Sequence, residues 1–259
     1  MMGNLYDIKK EIENTQVLLL VGGKAKRMNN EIKCLMEING IPLIERTLKQ
    51  YADNGFKKFN ILAGYGYQEV ENYIKTKSKC AKQIDISFSL DDQSWKAGGK
   101  GKALKQALKN NIIDKSKRSI VVFPDDVFVD DSLPIHLVNA HLDNMKSFLV
   151  TVATVPGTDY PFGEVVLDSN GRVEKFVEKP FVPKHTSTGL YVIEPGVYSE
   201  INKMIDLESN IPQEFEKIVL EKMAKEGKVA NYTITPYDSW ISVNTSKEFE
   251  MAKSRLEKN

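Results

Sequence analysis

The sequence has little cysteine and histidine, with two cysteines and three histidines among 259 residues. Cys34 and Cys80 are too few for a disulfide scaffold, and neither lies in a CxxC pair or beside a histidine. His136 and His141 are five residues apart, a spacing that does not place both on one helical face. We therefore interpret these side chains as structural and do not expect a zinc site.

The sequence also lacks an excess of charge of one sign and any long hydrophobic run. It has 36 lysine and arginine residues against 35 aspartate and glutamate residues, a formal net charge of +1. Nucleic acids and anionic membranes are bound by surfaces with many excess cations, so we expect neither as a partner. The apolar run at residues 17–21 is too short for a signal or a membrane span. These features predict a protein of the cytoplasm.

The composition that remains is that of a folded α/β protein. Hydrophobic residues make up 41% of the chain and charged residues 27%, and 259 residues suffice for a large core. Strand-like apolar runs lie at residues 17–21, 59–63, 84–90 and 120–123. Helix-like segments lie at residues 42–53, 67–75 and 104–108. This alternation predicts a parallel, doubly wound sheet in the first half of the chain.

The second half of the chain changes character. Strand-like residues 165–167 and 173–177 flank Asn170-Gly171, a strong signal for a two-stranded hairpin. Thr245 and Glu248 fit a capping box that begins a terminal helix. Further strands are predicted at 148–155, 190–193 and 229–234, and a helix at about 212–225. Hairpins pair antiparallel strands, so we expect a mixed sheet.

A glycine-rich, basic turn follows the first predicted strand, Gly22-Gly23-Lys24-Ala25-Lys26-Arg27. In open α/β sheets, ligands bind at the carboxyl ends of the strands, and glycine backbone beside lysine and arginine attracts phosphate. The turn lacks the Gly-Lys-Ser/Thr of a Walker loop and the GxGxxG of dinucleotide sites. Taken alone, it is as typical of an ordinary surface turn with solvated lysines as of a phosphate site.

Seven short motifs follow one another along the chain. They are residues 20–28 (LVGGKAKRM), 33–43 (KCLMEINGIPL), 99–104 (GKGKAL), 124–127 (PDDV), 178–180 (EKP), 188–191 (TGLY) and 240–245 (WISVNT). In this order they resemble LxGGxGTRL, KPLLPVGGKPL, GTAGAL, GDV, EKP, TGLY and WxDxGT of the sugar-1-phosphate nucleotidyltransferases. The resemblance extends from about Gln16 to the C-terminal helix. A colinear set is far more specific than any one of its motifs.

The resemblance implies a Rossmann-like nucleotide-diphospho-sugar transferase fold, an α/β fold with a mixed, mostly parallel central sheet and helices on both faces. It implies one domain over residues 1–259, with an N-terminal extension (1–15), a nucleotide-binding half (about 16–145) and a sugar-phosphate-binding half (about 146–259). It further implies that a nucleoside triphosphate is joined to a sugar 1-phosphate with release of pyrophosphate, usually with Mg²⁺. Family members often form dimers or tetramers, so a homo-oligomer is allowed.

By resemblance, one group of residues would hold the nucleotide and stabilise the transition state. The predicted nucleotide-binding residues are Gly22, Gly23, Lys26, Gly99, Lys100 and Asp125. The predicted catalytic residues are Arg27, Lys33 and Asp126. The plain alternative is that Arg27 and Lys33 are solvated surface charges and that the aspartates cap turns at a strand end.

A second group would hold the sugar phosphate, namely Gly163, Glu178, Lys179 and Tyr191. Glu178 and Lys179 are adjacent at a strand end, so their side chains start on opposite faces and meet one ligand only if the chain bends. Pro180 supplies a reason for a bend. The alternative is that both side chains merely solvate the end of a strand.

Several positions depart from the family pattern where the chemistry should occur. Ala25 and Lys26 replace a glycine and a threonine, and Lys100 and Lys102 stand where the family has small residues. Ser242 replaces the second metal-binding aspartate, so one carboxylate of the metal site is missing.

The predicted Mg²⁺ site therefore has one clear ligand, Asp126, and an open second position. Asn244 lies two residues after Ser242 and offers a carbonyl oxygen, and Asp238 is a further candidate. Of these two, Asn244 is our choice for the second metal ligand.

The substrates are predicted from the same motifs. The TGLY match favours UTP or dTTP with glucose 1-phosphate. The loss of the later aspartate favours instead CTP, with a sugar phosphate or an alcohol phosphate such as phosphocholine. The altered loop and Ser242 leave a third alternative, a homologue that binds nucleotide or sugar phosphate with little catalysis. In each case we expect two basic loops, residues 22–33 and the four lysines within 96–105, around the triphosphate.

Overall fold

The computed structural model describes residues 7–22, 31–145 and 147–257. The helices are α1 (Ile8–Glu13), α2 (Leu43–Asp53), α3 (Tyr67–Thr76), α4 (Lys100–Lys109), α5 (Leu133–Asn144), α6 (Gly196–Met204), α7 (Glu221–Lys225) and α8 (Ser246–Leu256). Short 3₁₀ turns lie at Lys33–Leu35, Cys80–Lys82 and Tyr237–Ser239, and a π-helical turn, Glu216–Leu220, leads into α7.

The strands are short, as is usual in α/β proteins. They are β1 (Thr15–Leu20), β2 (Glu37–Ile38), β3 (Ile41–Pro42), β4 (Lys58–Ala63), β5 (Asp85–Leu90), β6 (Arg118–Val122), β7 (Asp126–Phe128), β8 (Val150–Val155), β9 (Thr158–Asp159), β10 (Gly163–Leu167), β11 (Val173–Glu178), β12 (Phe181–Val182), β13 (Thr186–Ile193), β14 (Val229–Thr233) and β15 (Trp240–Ser242).

Seven strands form the central sheet, in the order β14-β8-β13-β6-β1-β4-β5. Strand β13 runs antiparallel to both of its neighbours, and the other adjacent strands are parallel. The predicted mixed, mostly parallel sheet is therefore confirmed. Every residue of β1 and β6 is buried, which is why their sequences are nearly continuous apolar runs.

Alternate residues of β1 face two separate cores, one on each side of the sheet. Val17 and Leu19 belong to a core shared with α2, α3 and α5. Leu18 and Leu20 belong to a core shared with α4 and α6. Because successive side chains of a strand point to opposite faces, one apolar run serves both layers, and helices cover both faces as predicted.

A third, smaller core lies beside the sheet and involves the C-terminal segment. Strands β7 and β15 pair antiparallel, and α8 packs Phe249 and Leu256 against this core, with Ala252 buried in it. The cap of α8 is the predicted one, since Thr245 Oγ1 accepts a hydrogen bond from the Glu248 backbone N–H at 3.3 Å.

The helix predicted to begin near residue 212 starts later than expected. Its first π-helical residue is Glu216, and the preceding segment pairs with the loop before α4. The Gln213 backbone N–H donates to the Gly98 oxygen at 3.0 Å, and the Gly101 N–H donates to the Gln213 oxygen at 2.8 Å. These long-range backbone hydrogen bonds hold Gln213 outside the helix, so Pro212 does not open it.

Across the described ranges, no helix combines the length and the apolar character that crossing a membrane would require.

Gly99→Ala should destabilise the fold, because Gly99 lies where the loop before α4 meets Gln213. Its φ is +117°, and an added Cβ would lie 2.6 Å from the backbone of Gln213. We expect a loss of about 1–3 kcal/mol in the free energy of unfolding, measured with urea. Gly98→Ala is the matched control, since a Cβ there meets nothing within 4 Å. Equal stabilities of the two variants would contradict this contact.

Candidate active site

The strand order of the central sheet changes direction between β1 and β6, and a crevice forms there. The chain crosses from β1 outward to β4 and β5, and later strands add on the β6 side. Such a switch point, at the carboxyl ends of the strands, is the usual ligand site of open α/β sheets. A cavity of about 320 Å³ lies at this edge. Its walls are formed by Leu20, Gly22, Leu62, Asp91, Gly99, Lys100, Ala103, Phe123, Asp125 and Glu214.

Lys33 lies beside this cavity and joins two distant parts of the chain. Its Nζ is 3.1 Å from Asp125 Oδ2 and donates to Asn244 Oδ1 at 2.8 Å. The Lys33 side chain is 18% exposed, so it reaches the site from within the fold and is not the freely solvated surface lysine of the plain alternative. An ammonium group has three N–H donors, and two of them are used here.

Asn244 is held in place by its own neighbours. Its Nδ2 donates to Ser242 Oγ at 2.8 Å, and its backbone N–H donates to Glu248 Oε2 at 2.8 Å. The β7–β15 pairing sets Ser242 opposite Asp126, and the Val243 N–H donates to the Asp125 oxygen at 2.8 Å. The segment around Ser242 is thereby fixed beside the two aspartates.

Asp126 has a carboxyl group whose pKa lies close to neutral pH. Burial and the neighbouring Asp125 raise its pKa from 3.8 to about 7, and hydrogen bonds from Ser242 and Trp240 act in the opposite direction. The Trp240 indole N–H donates to Asp126 Oδ1 at 3.0 Å. A Cβ on Gly189 would lie 3.4 Å from Asp126 Oδ2, so this glycine of the TGLY motif lets the chain approach that oxygen closely.

A second charged pair lies on the other side of the crevice. Lys100 Nζ is 2.6 Å from Glu216 Oε1 and 4.6 Å from the centre of the Phe123 ring. The Tyr191 hydroxyl donates to the same Glu216 oxygen at 3.3 Å. Sequence reasoning missed Glu216, since it matches no motif and its approach depends on the late start of the helix that follows Gln213.

The prediction that the lysines within 96–105 surround a triphosphate is wrong for two of them. Lys102 is fully buried, and its Nζ donates to the Ser209 oxygen at 2.8 Å. Lys105 Nζ donates to the Asn202 oxygen at 2.8 Å and to the Ile205 oxygen. Both side chains therefore tie α4 to the end of α6 and the segment that follows it, by donating to backbone oxygens there.

The predicted sugar-phosphate residues divide between two places. Tyr191 lies at the crevice, whereas Gly163 and Glu178 face each other on β10 and β11. Lys179 has a φ of +47°, so the chain bends at this residue, as it must if Glu178 and Lys179 are to contact one ligand. Lys179 Nζ is 3.8 Å from Glu178 Oε1, and both side chains are more than half exposed. Within the described ranges, no hydrogen bond or ion pair links Glu178 or Lys179 to Asp126.

Three predicted site residues, Gly23, Lys26 and Arg27, lie outside the described residues. Gly22, the last described residue before them, borders the cavity at the end of β1.

The oxygen atoms at Asp126 suit a small, hard cation bound together with phosphate. Asp126 provides a carboxylate, and Ser242 and Asn244 provide neutral oxygens close by. Within 7–22, 31–145 and 147–257, no three His, Cys, Asp or Glu side chains gather as a complete metal cage. Mg²⁺ commonly takes one or two carboxylates and completes its shell with water and substrate phosphates, so the donor set fits it.

A mixed α/β sheet with charged residues at its switch point is an architecture that many nucleotide-binding proteins share, and a comparison of sequences places the chain in one family. A family profile described as "Nucleotidyl transferase" matches residues 16–259. The chain therefore belongs to the nucleotidyl transferase family. The resemblance to sugar-1-phosphate nucleotidyltransferases drawn from the ordered motifs is confirmed.

Individual relatives are distant. The mannose-1-phosphate guanylyltransferase catalytic subunit beta of Drosophila melanogaster is 25% identical over 241 residues, which are 91% of this chain and 61% of that protein. The chain thus spans about three fifths of that relative's length.

Two solved structures share the fold. A UDP-glucose pyrophosphorylase complexed with UDP-glucose superposes with a TM-score of 0.68 at 15% identity, covering 94% of this chain and 98% of the other. HddC from Yersinia pseudotuberculosis, complexed with GMP-PN, has a TM-score of 0.63 at 19% identity and covers 93% and 99%. At these identities the likeness establishes the fold alone.

Asp126→Asn should gain stability relative to the wild type as the pH rises from about 5 to about 8. Between pH 3.8 and about 7, Asp126 is protonated in the folded protein and ionised in the unfolded chain. The free energy of unfolding of the wild type therefore falls as the pH rises through this range and levels off above about 7. The asparagine variant has no such proton to lose. In urea unfolding with a chelator, the difference from wild type should grow by about 1–3 kcal/mol.

Asp85→Asn controls for the loss of one negative charge, since Asp85 is exposed at the start of β5. A difference between the Asp126 variant and the wild type that stays constant with pH would contradict the raised pKa.

Proposed function

We propose that this chain catalyses nucleotidyl transfer from a nucleoside triphosphate to a sugar 1-phosphate, with release of pyrophosphate. The observation that carries this proposal is the cluster of Lys33, Asp125, Asp126 and Asn244 at the carboxyl end of β6, beside the cavity at the end of β1. Family membership supports the same reaction class.

In this reaction an oxygen of the sugar phosphate attacks the α-phosphorus in line. A bond from that oxygen to phosphorus forms, the bond from the α-phosphorus to the bridging oxygen breaks, and pyrophosphate leaves with the electron pair. Negative charge grows on the equatorial and leaving oxygens. The protein's work is therefore to hold the reactants in line and to stabilise that charge.

Lys33 is suited to that stabilisation. Its ammonium group is oriented by Asp125 and Asn244 and keeps one N–H donor for a phosphate oxygen. A pre-oriented cation spends little free energy on reorganisation as charge develops. Arg27, Lys26 and Gly23 are proposed to complete the phosphate contacts, as the family motif implies.

Mg²⁺ is the cation that we propose Asp126 would hold, and it would supply positive charge that stabilises the negative charge of the substrate phosphates. Asn244 stays our prediction for a second ligand. Its Oδ1 accepts a hydrogen bond from Lys33 in this structure. An amide oxygen has two lone pairs, so this bond leaves one available.

The second half of the chain is proposed to bind the sugar phosphate. Glu178 would accept hydrogen bonds from sugar hydroxyls, and Lys179 would pair with the phosphate. Both side chains are exposed and beside each other, which suits binding of a ligand that carries hydroxyls and charge together. Gly163, opposite Glu178, would complete this pocket, whereas Tyr191, which the motifs also imply, would act from the crevice, where its hydroxyl contacts Glu216.

Several pairs of nucleotide and sugar phosphate are compatible with the proposed reaction. Glucose 1-phosphate with UTP or dTTP is the pair favoured by the TGLY motif, and a UDP-glucose complex is among the structural neighbours. The fly relative is named as a guanylyltransferase of mannose 1-phosphate. Similarity to known proteins is therefore compatible with more than one base and more than one sugar. CTP with a sugar or alcohol phosphate is the remaining alternative within this reaction.

The cytoplasm stays our expectation for the setting of this reaction, and a homo-oligomer stays allowed. The β10–β11 hairpin supports association, because several of its large apolar side chains are exposed. They are Val165, Val166, Leu167, Val173 and Phe176.

Lys33→Ala and Asp126→Ala should each slow pyrophosphate release by about 10²–10³-fold, the usual effect of removing one pre-oriented electrostatic group. The measurement is a pyrophosphate-coupled assay over a panel of triphosphates and sugar 1-phosphates. Lys109→Ala is the control, since Lys109 is exposed at the far end of α4.

Wild-type rates in both variants would refute the assigned roles of Lys33 and Asp126. Tight binding of nucleotide by the wild type without turnover of any pair would favour instead a binding protein with little catalysis.

Lys179→Ala should raise the KM for the sugar phosphate by about tenfold or more while leaving the KM for the triphosphate nearly unchanged, because one charge-assisted contact to a phosphate is lost. Lys175→Ala provides the comparison, since Lys175 is an exposed lysine on β11, the strand that Lys179 directly follows. Equal effects of the two substitutions on the sugar-phosphate KM would remove Lys179 from the proposed pocket.

A further inference from the structure

Asp91 places a carboxylate in the crevice that the reaction proposed above does not use. It follows directly after β5, and its backbone N–H donates to the Ala63 oxygen at 2.9 Å, which fixes the start of its side chain. The side chain borders the same cavity as Gly22 and Gly99. Asp91 is thus part of the ligand crevice although no family motif includes it.

The carboxylate of Asp91 is held against bare backbone. A Cβ on Gly64 would lie 2.7 Å from Asp91 Oδ2, and one on Gly22 would lie 3.5 Å from the same oxygen. Within the described ranges, no hydrogen bond reaches either carboxylate oxygen. Burial raises the pKa of Asp91 to about 6. A partly buried carboxylate without a donor is costly, so this one is suited to a ligand that supplies N–H groups.

The rest of the cavity indicates which part of a nucleotide approaches Asp91. Leu20, Leu62 and Ala103 provide apolar walls, which suit the faces of a planar ring. The described cations of the crevice, Lys33 and Lys100, lie at Asp125 and at Phe123, beside the end of β6. A triphosphate is attracted to those lysines and repelled by a carboxylate, so the base faces Asp91.

We propose that Asp91 reads the base of the nucleotide and that this base is guanine. The proposal rests on the nucleotide-binding role given above and specifies its substrate. Guanine presents two neighbouring donors, N1–H and the 2-amino group, that fit the two oxygens of one carboxylate side by side. Asp91 then receives the donors that the protein does not provide.

The other bases fit this carboxylate less well. Uracil and thymine present a single N–H between two carbonyl oxygens, and those oxygens face a carboxylate unfavourably. Cytosine and adenine present one amino group beside an acceptor nitrogen. The same site therefore disfavours the UTP or dTTP expected from the TGLY motif.

Calorimetric titration of the purified protein with Mg²⁺ and single nucleotides tests the proposal without requiring turnover. GTP should bind at least tenfold more tightly than UTP, dTTP, CTP or ATP. ITP, which lacks the 2-amino group, should bind about tenfold more weakly than GTP, the usual cost of one lost hydrogen bond to a charged group. XTP, which has an oxygen there, should bind more weakly still.

Asp91→Asn should shift the nucleotide preference from GTP towards XTP. Its amide keeps one acceptor for N1–H but places a donor where guanine has its amino group, so GTP should weaken by about 10–100-fold and XTP should gain affinity. Gain of XTP binding shows that the variant is folded. Asp92→Asn is the matched control, because Asp92 is exposed and its Oδ1 binds Ser94. It should leave the order of affinities unchanged.

Tighter binding of UTP or dTTP than of GTP by the wild type would overturn the proposal, as would an Asp91→Asn variant that still prefers GTP to XTP. The result is separable from the proposed reaction. Pyrophosphate release with a uridine or thymidine nucleotide would sustain the reaction and refute guanine. Selective GTP binding with no sugar nucleotide formed from any sugar 1-phosphate would do the reverse.

Discussion

The candidate site depends on one short antiparallel pairing, that of β7 with β15. This pairing joins the strand after β6 to the C-terminal segment and sets Ser242 opposite Asp126. Because side chains alternate along a strand, a slip of one residue would turn Trp240 and Ser242 away from Asp126. The next residues bring Asn244 to Lys33, which lies 211 residues earlier in the chain. Three parts of the sequence thus converge because two three-residue strands pair in one register.

Each of the two described lysines of the crevice is paired with a carboxylate before any ligand arrives. Lys33 is paired with Asp125 and Lys100 with Glu216, and burial raises the pKa of the Asp126 carboxyl group to about 7. Pairing lowers the cost of keeping lysines partly buried, and each ammonium keeps an N–H donor for phosphate. For the described lysines, counting along the sequence therefore overstates the positive charge that a ligand meets, because Lys33 and Lys100 are paired and Lys102 is buried.

Periodicity predicted most of the fold, because buried strands and amphipathic helices leave direct marks in sequence. The strand at residues 17–21, the helix after Pro42 and the hairpin at Asn170-Gly171 are all found, with ends within a few residues. The helix expected from 212 was placed too early, since backbone pairing of Gln213 with Gly98 and Gly101 is a tertiary contact. The same limit explains Lys102, a buried residue of α4 whose ammonium group donates to the Ser209 oxygen, 107 residues away.

The site was predictable only as far as the motifs extended. Lys33, Asp125 and Asp126, which the motifs select, lie together at the crevice, whereas Glu216 and Asp91 lie outside every motif and enter the crevice through the fold. The central claim is nucleotidyl transfer at this crevice. Its most direct measurement is ³¹P NMR of the purified protein with Mg²⁺, a nucleoside triphosphate and a sugar 1-phosphate, over a panel of both. The account predicts that pyrophosphate and a sugar nucleotide form in equal amounts for at least one pair; release of orthophosphate, or no reaction of any pair despite nucleotide binding, would contradict it.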